Sequence, residues 1–256
     1  MNLSLNKIRE WKAKHKKTPL KPECAAVVLA AGSSVRMGSD KILARLGELP
    51  VLARTLRPFQ ECSCVKEIVV VTAADKLEEV TELCREYNIG KVTKVLCGGK
   101  TRTESALTGV SEVSGRIPLI AIHDGARPLV TEELIRRCIE VAAEKLAVVP
   151  AIRSTDTLKT ADEDGLIVGN VSRETTWRMQ TPQVFQSELI KGALSRAMKQ
   201  NLPLTDDSSA MELIGVKTWL IEGDEENIKL TKPLDLMLAS AILRDRRERN
   251  ADRSGL

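Results

Sequence analysis

Aromatic side chains are scarce in this 256-residue sequence: three Trp, one Tyr and two Phe make up 2% of it. A chain so short of rings builds its core from aliphatic residues. It also lacks the platforms on which proteins that track single-stranded nucleic acid stack successive bases. There are only two histidines, His15 and His123, and none of the six cysteines (Cys24, Cys62, Cys64, Cys84, Cys97, Cys138) forms a C-x-x-C pair. That excludes a zinc framework of the usual ligand spacing. No apolar run approaches the ~18 residues that span a bilayer, and the N-terminus has no apolar segment of signal-peptide type. A cytoplasmic protein with reduced, mostly buried thiols is expected. The G-x-G-x-x-G fingerprint is missing as well, which argues against an NAD site.

Charge of one sign is thin where a polyanionic partner would need it. Lys and Arg number 39 against 35 Asp and Glu, a net +4. Residues 1–21 alone carry +6 and residues 244–256 a further +2, so the body from 22 to 243 stands at −4. A duplex-binding domain would show its cations on a folded face. Solvated basic ends fit better, and neither a nucleic-acid nor a membrane partner is expected. Residues 1–22 read as a basic N-terminal extension, 23–247 as one domain and 248–256 as a polar C-terminal tail. With 43% hydrophobic and 29% charged residues, the composition is that of an ordinary globular protein.

What the sequence does contain is alternation. Short β-branched runs at Cys24–Ala30, Glu67–Thr72, Val92–Leu96, Pro118–His123 and Leu146–Ile152 read as buried strands. Between them, Pro50–Gln60, Asp75–Tyr87, Thr101–Val113 and Thr131–Lys145 have helical spacing, with Pro50 suited to a first turn and Thr131 to an N-cap. The pattern predicts an α/β fold with a mostly parallel sheet and helices on both faces. It breaks at about 153–178, which is polar, Thr-rich and centred on the turn signal Asp162-Glu163-Asp164-Gly165, and so predicts a projecting β-arm. Helices near Ser187–Lys199 and Asp207–Leu213, a strand at Lys217–Ile221 and a helix from Pro233 to about Arg247 complete the chain.

Ligands of such sheets sit beyond the carboxyl ends of the strands. The first strand runs into Ala30-Ala31-Gly32-Ser33, a small-residue loop whose N–H groups can approach phosphate oxygens, followed by the cations Arg36 and Lys41. The third strand ends in Cys97-Gly98-Gly99-Lys100-Thr101, which resembles a P-loop except that Lys94 stands where its first glycine belongs. That leaves either a tight strand-to-helix turn or a place where backbone meets a base or ribose. The fourth strand ends in His123-Asp124-Gly125-Ala126-Arg127-Pro128. There the acid either caps a turn or orients a hydroxyl or a phosphate-bound metal, and His123 reads as a packed, hydrogen-bonded residue rather than a base.

Taken in order, A-A-G-x-x-x-R-M-G-x-x-K from Ala30, G-G-x-x-R-x-x-S from Gly98, H-D-x-A-R-P from His123, D-T-x-K from Asp156, R-x-x-x-W-x-x-Q-T-P-Q from Arg173, T-D-D from Thr205 and G-x-x-x-N-I-K-x-T-x-P from Gly223 form one collinear set. The set resembles the 2-C-methyl-D-erythritol 4-phosphate cytidylyltransferase family from about Cys24 to Arg244. The resemblance implies a Rossmann-like three-layer nucleotidyltransferase fold and transfer of CMP from CTP to the sugar phosphate, with magnesium held mainly by the CTP phosphates. It implies that Arg36, Lys41 and Lys229 are catalytic. Ala30, Ala31, Gly32, Ser33, Gly99, Ser105 and Ala126 would bind CTP. Asp124, Thr157, Arg173, Thr181 and Thr205 would surround the sugar phosphate. It also implies a homodimer in which the arm carries Thr157 and Arg173 to the neighbour's site. Two other readings stay open: a ribitol-5-phosphate cytidylyltransferase, whose first loop usually reads G-G-x-G-x-R-M, and a non-catalytic nucleotide-binding module on the same scaffold.

Overall fold

The structure, a computed structural model, describes residues 22–32 and 41–254. Strand β1 (Cys24–Ala30) is followed by the short pair β2 (Arg45–Leu46) and β3 (Leu49–Pro50), then α1 (Val51–Glu61), β4 (Val65–Thr72), α2 (Leu77–Glu86), β5 (Val92–Cys97), α3 (Arg102–Ser111), β6 (Leu119–Asp124), α4 (Glu132–Lys145) and β7 (Ala147–Arg153). The arm holds β8 (Lys159–Ala161) and β9 (Ile167–Asn170). The chain closes with β10 (Trp177–Met179), β11 (Gln183–Gln186), α5 (Ser187–Lys199), α6 (Asp207–Leu213), β12 (Trp219–Glu222) and α7 (Pro233–Ser254).

β1 lies between β4 and β6 and is parallel to both, and β5 extends the sheet beyond β4. β11 runs antiparallel between β6 and β7, and β12 pairs parallel along the far side of β7. Because successive side chains of a strand point to opposite faces, Ala26, Val28 and Ala30 of β1 enter one core and Ala25 and Val27 the other. The first core receives Leu52, Leu56 and Phe59 of α1 and Leu134, Ile135 and Ile139 of α4. The second receives Val110 of α3, Leu189, Ile190 and Leu194 of α5 and Met211 of α6. Covering on both faces is why the strands read as unbroken apolar runs. The expected three-layer fold with a mostly parallel sheet is therefore observed.

The helix starts are set locally. Thr101 accepts the N–H of Glu104 at 3.1 Å and Thr131 that of Leu134 at 3.2 Å, as N-caps do. Pro50 stands immediately before α1, where a missing N–H costs nothing. The arm turns at Asp162, whose carboxylate takes the N–H groups of Asp164 and Leu166, and Gly165 has φ +86°.

Three expectations needed correction. The segment expected as a helix from Asp75 begins with a 3-10 turn at Ala74–Lys76. The arm is narrower than 153–178, because Trp177–Met179 pair with Arg153–Ala151 at the edge of the main sheet. α7 runs on to Ser254, so residues 248–254 of the expected polar tail continue that helix. The expected basic extension falls almost wholly on residues 1–21, outside the described residues.

Candidate active site

The chain order turns back on itself at β1, with β4 and β5 added on one side and β6 on the other. Such reversals open a crevice at the carboxyl ends of the strands. Here it is a cavity of about 420 Å³ lined by Leu29, Ala30, Ala31 and Gly32 at the end of β1, Gly99, Lys100, Thr101 and Arg102 after β5, and Asp124 and Ala126 at the end of β6, together with Ser105, Lys41, Ile42 and Lys229. Nine residues singled out from sequence, Ala30, Ala31, Gly32, Lys41, Gly99, Ser105, Asp124, Ala126 and Lys229, thus line one space. Ser33 and Arg36 lie outside the described residues.

The loop after β5 resolves the ambiguity in its glycines. Gly98 N–H donates to Thr72 O at 2.7 Å, and a Cβ at Gly98 would come within 2.5 Å of Ala31 Cβ. The absence of a side chain is what lets the two loops close on each other. Gly98 is therefore a packing glycine, and Gly99 next to it faces the cavity. Ser105 is buried beneath them; its hydroxyl accepts Gly99 N–H at 3.1 Å and donates to Thr101 O at 3.0 Å. Its hydroxyl holds the loop's shape from below the cavity.

Asp124 is the electrostatic centre. Its carboxylate lies 2.9 Å from Lys229 Nζ, 3.4 Å from Arg127 Nε and 3.5 Å from Arg102 Nη2. Burial alone would raise its pKa, but Lys229, Arg102 and Arg127 together outweigh burial and hold the carboxyl well below the usual range. Behind it, Asp124 N–H donates to Thr181 Oγ1 at 3.1 Å, and that hydroxyl lies 3.0 Å from His123 Nδ1. His123 Nε2 is 3.3 Å from the carbonyl of Arg127, which only accepts, so Nε2 carries the proton and Nδ1 accepts from Thr181. His123 is fully buried and packs against Phe59, as expected of a structural histidine.

The remaining expected residues lie elsewhere. Thr181 is buried behind Asp124 and does not line the cavity. Thr205 is exposed before α6, its hydroxyl 2.9 Å from that of Ser209. Thr157 and Arg173 meet each other on the arm, Arg173 Nη2 donating to Thr157 Oγ1 at 2.9 Å, and neither lines this chain's cavity. Sequence reasoning passed over Arg102 and Asp207 as site residues although both lie inside quoted motifs. Arg102 faces the cavity and grips Asp207 with two bonds of 2.8 Å. The available signal was charge: an Arg at the first turn of a helix works against the helix dipole, and so calls for a partner elsewhere.

A family model for 2-C-methyl-D-erythritol 4-phosphate cytidylyltransferase matches residues 24–245. The chain belongs to that family. Proteins named 2-C-methyl-D-erythritol 4-phosphate cytidylyltransferase are 40% identical over 223 residues in Caldanaerobacter subterraneus subsp. tengcongensis, covering 86% of this chain and 98% of that one, and 38% identical over 229 residues in Halalkalibacterium halodurans, covering 89% and 100%. Among solved structures, 4-diphosphocytidyl-2C-methyl-D-erythritol synthase from Anaerococcus prevotii superposes with a TM-score of 0.78 at 28% identity, covering 88% of this chain and 97% of that one. The likeness therefore spans nearly the whole length of each of the three. This cytidylyltransferase is a nucleotidyltransferase built on the family's fold, and the cavity at the β1 switch point is its candidate active site.

Proposed function

We propose that this cavity holds CTP and a sugar phosphate together, and that the enzyme transfers CMP from CTP to the phosphate of 2-C-methyl-D-erythritol 4-phosphate. The products are 4-diphosphocytidyl-2-C-methyl-D-erythritol and pyrophosphate. The observation that carries the reading is the convergence of the Ala30–Gly32 backbone, Lys41, Asp124 and Lys229 on one space. CTP lies against Ala30, Ala31, Gly32, Gly99, Ser105 and Ala126, with Ser33 assigned to the same role by the family pattern, and its base is held by backbone groups, which suits a chain so poor in rings. The acceptor lies beside Asp124 and Lys229.

A phosphate monoester whose second pKa is near ~6 is already largely dianionic at neutral pH. One of its oxygens attacks the α-phosphorus in line, a P–O bond forms, and the bond to the β-phosphate breaks with pyrophosphate taking the electron pair. No proton has to be removed, so neutral His123 is not needed as a base. Charge on the five-coordinate phosphorus is met by Lys41 and Lys229, with Arg36 assigned alongside them by the family pattern.

Asp124 is committed to three cations, and among the described residues no group of three or more His, Cys, Asp or Glu side chains is placed to hold a metal. This donor set suits a magnesium ion that enters on the CTP phosphates rather than one chelated by protein. When bound there, the ion adds charge neutralisation at the triphosphate. Pyrophosphate release from CTP and magnesium, measured with methylerythritol phosphate and with ribitol 5-phosphate in turn, tests the assignment. Activity is expected with the first. Preference for the second transfers the enzyme to the ribitol reading, and turnover of neither returns it to a binding module.

The homodimer belongs to the same proposal. Leu166, Ile167 and Val168 on the arm are each more than 60% exposed, and neither Thr157 nor Arg173 lines this chain's cavity. A polar hairpin with three exposed apolar side chains, followed by a guanidinium, suits docking on a second copy, with Arg173 reaching the neighbour's sugar phosphate. Arg173→Ala and Lys41→Ala chains, each inactive alone, should recover activity when mixed and allowed to exchange subunits, because one mixed site is then intact. Exchange without recovery would place Arg173 outside the neighbour's site. Six free thiols, five of them buried, suit a reducing, cytoplasmic setting, and no described helix is long and apolar enough to cross a membrane.

A further inference from the structure

Asp207 opens α6 and its side chain is 1% exposed. Arg102 gives it both arms, Nη1 to Oδ1 and Nη2 to Oδ2, each at 2.8 Å. The same Nη2 stands 3.5 Å from Oδ1 of Asp124, whose other oxygen takes Lys229 Nζ at 2.9 Å. One guanidinium is therefore placed between two carboxylates, and one of those carboxylates is shared with the ammonium that lines the cavity. Arg102 sits at the first turn of α3, where the helix dipole disfavours a cation, so its own helix does not hold it there. The planar fork matches a carboxylate in two bonds, and Asp207 occupies both. Were that charge lost, the nearest anion for the fork would be Asp124, already within 3.5 Å. A closed Arg102–Asp124 pair would then compete with Lys229 for the same oxygens.

We propose that Asp207 is a positioning residue: by engaging both arms of Arg102 it keeps that guanidinium from closing on Asp124, leaves to Lys229 the Oδ2 that Arg127 also reaches, and so fixes the ammonium that faces the acceptor phosphate. This rests on the placement of Lys229 beside the sugar phosphate proposed above.

Asp207→Asn keeps the side chain's shape and removes its charge. In that enzyme the KM for methylerythritol phosphate rises about tenfold to a hundredfold, the worth of one charge-assisted contact, while the KM for CTP changes little. Adding Arg102→Gln removes the competing guanidinium and brings the sugar-phosphate KM back to within about threefold of the wild type; because any buried ion pair shows such non-additivity, the labelling of Lys229 is what separates the partition from a merely structural tie between α3 and α6. Should the single variant fail to fold, the double variant strands no charge and carries the test alone. If it folds and its sugar-phosphate KM stays tenfold or more above the wild type, on the order that separates a kept from a lost contact, the proposal is overturned. Acylation of Lys229 in the substrate-free enzyme, followed by mass spectrometry, reads the partition without substrate. Labelling rises in Asp207→Asn and returns to the wild-type level in the double variant. Unchanged labelling overturns the inference. Changed labelling with an unchanged sugar-phosphate KM supports the partition and overturns the placement of Lys229 instead.

Discussion

Replacing Lys41 with alanine is expected to lower turnover by about two to three orders of magnitude while leaving the thermal midpoint unchanged. Lys41 is half-buried at the cavity wall, whereas the neighbouring anchors Ile42 and Leu46 are at 4% and 0% exposure in the core. Removing the ammonium therefore leaves the packing that holds the wall in place. On the proposed reading, what is lost is one of the cations lining the cavity in which the α-phosphorus would take on a fifth ligand. Water can solvate that charge only by reorganising, and a fixed partner of this kind contributes ~3–4 kcal/mol to the transition state. Single-turnover release of pyrophosphate at saturating CTP and sugar phosphate gives the chemical step, and a thermal melt gives the fold. A fall in turnover with little change in KM marks an interaction made in the transition state. A raised KM for CTP at unchanged turnover would make Lys41 a ground-state binder and remove it from the catalytic role.

The sheet was legible because burial on two faces writes itself as uninterrupted apolar runs. Cys24–Ala30 is a strand from end to end, and Val92, Leu119 and Ala147 open theirs within a residue of expectation. β11 was not legible. Gln183–Gln186 is four residues long and half glutamine, yet it is buried between β6 and β7. Its polar side chains are tolerated because each is bonded: Gln183 gives its amide to Asp206 and takes the N–H of Ser208, and Gln186 caps α5 through Leu189 N–H. Those partners lie downstream in the sequence, and no pattern local to the strand announces them. The short β2–β3 pair was missed for a similar reason, since Leu46 and Val51 owe their burial to Ala126, Leu129 and Leu230 from distant segments.

The site divides along the same line. Ala31, Gly99 and Asp124 were legible as neighbours because the topology brings strand ends together. The charge pair Arg102–Asp207 spans 105 residues and becomes visible only when α3 and α6 pack on the same face of the sheet. The spacing within T-D-D shows two acids side by side. It does not show that Asp206 caps a helix through Ser209 N–H while Asp207 turns inward to an arginine.

Lowering the pH from 7 to 5 is expected to cost the wild-type fold about 2 kcal/mol that a His123→Gln variant does not lose. Burial, seconded by Arg127 and Lys229 and only partly opposed by Asp124, pushes the imidazole of His123 down to about 3. In the unfolded chain it titrates near ~6.5. Between those two values the unfolded state binds a proton that the folded state refuses, so stability falls as pH falls, by up to roughly 1.4 kcal/mol per pH unit. Asp124 has the opposite starting point but the same sign. Its carboxyl is held below the usual carboxylate range, so its contribution is complete above the unfolded pKa and fades only at lower pH, outside the window from 7 to 5. Urea unfolding of both proteins at pH 7, 6 and 5 isolates His123, because the other groups cancel in the difference. Equal losses in the two proteins would show that the imidazole is not the group responsible. The site explains why the neutral form is required: Nδ1 accepts the hydroxyl proton of Thr181, whose oxygen takes Asp124 N–H. A proton on Nδ1 would turn the acceptor into a donor, leave that hydroxyl proton without a partner and loosen the backbone behind the carboxylate that holds Lys229. Since the folded protein resists that proton down to about pH 3, turnover between pH 6 and 8 should show no inflection from His123.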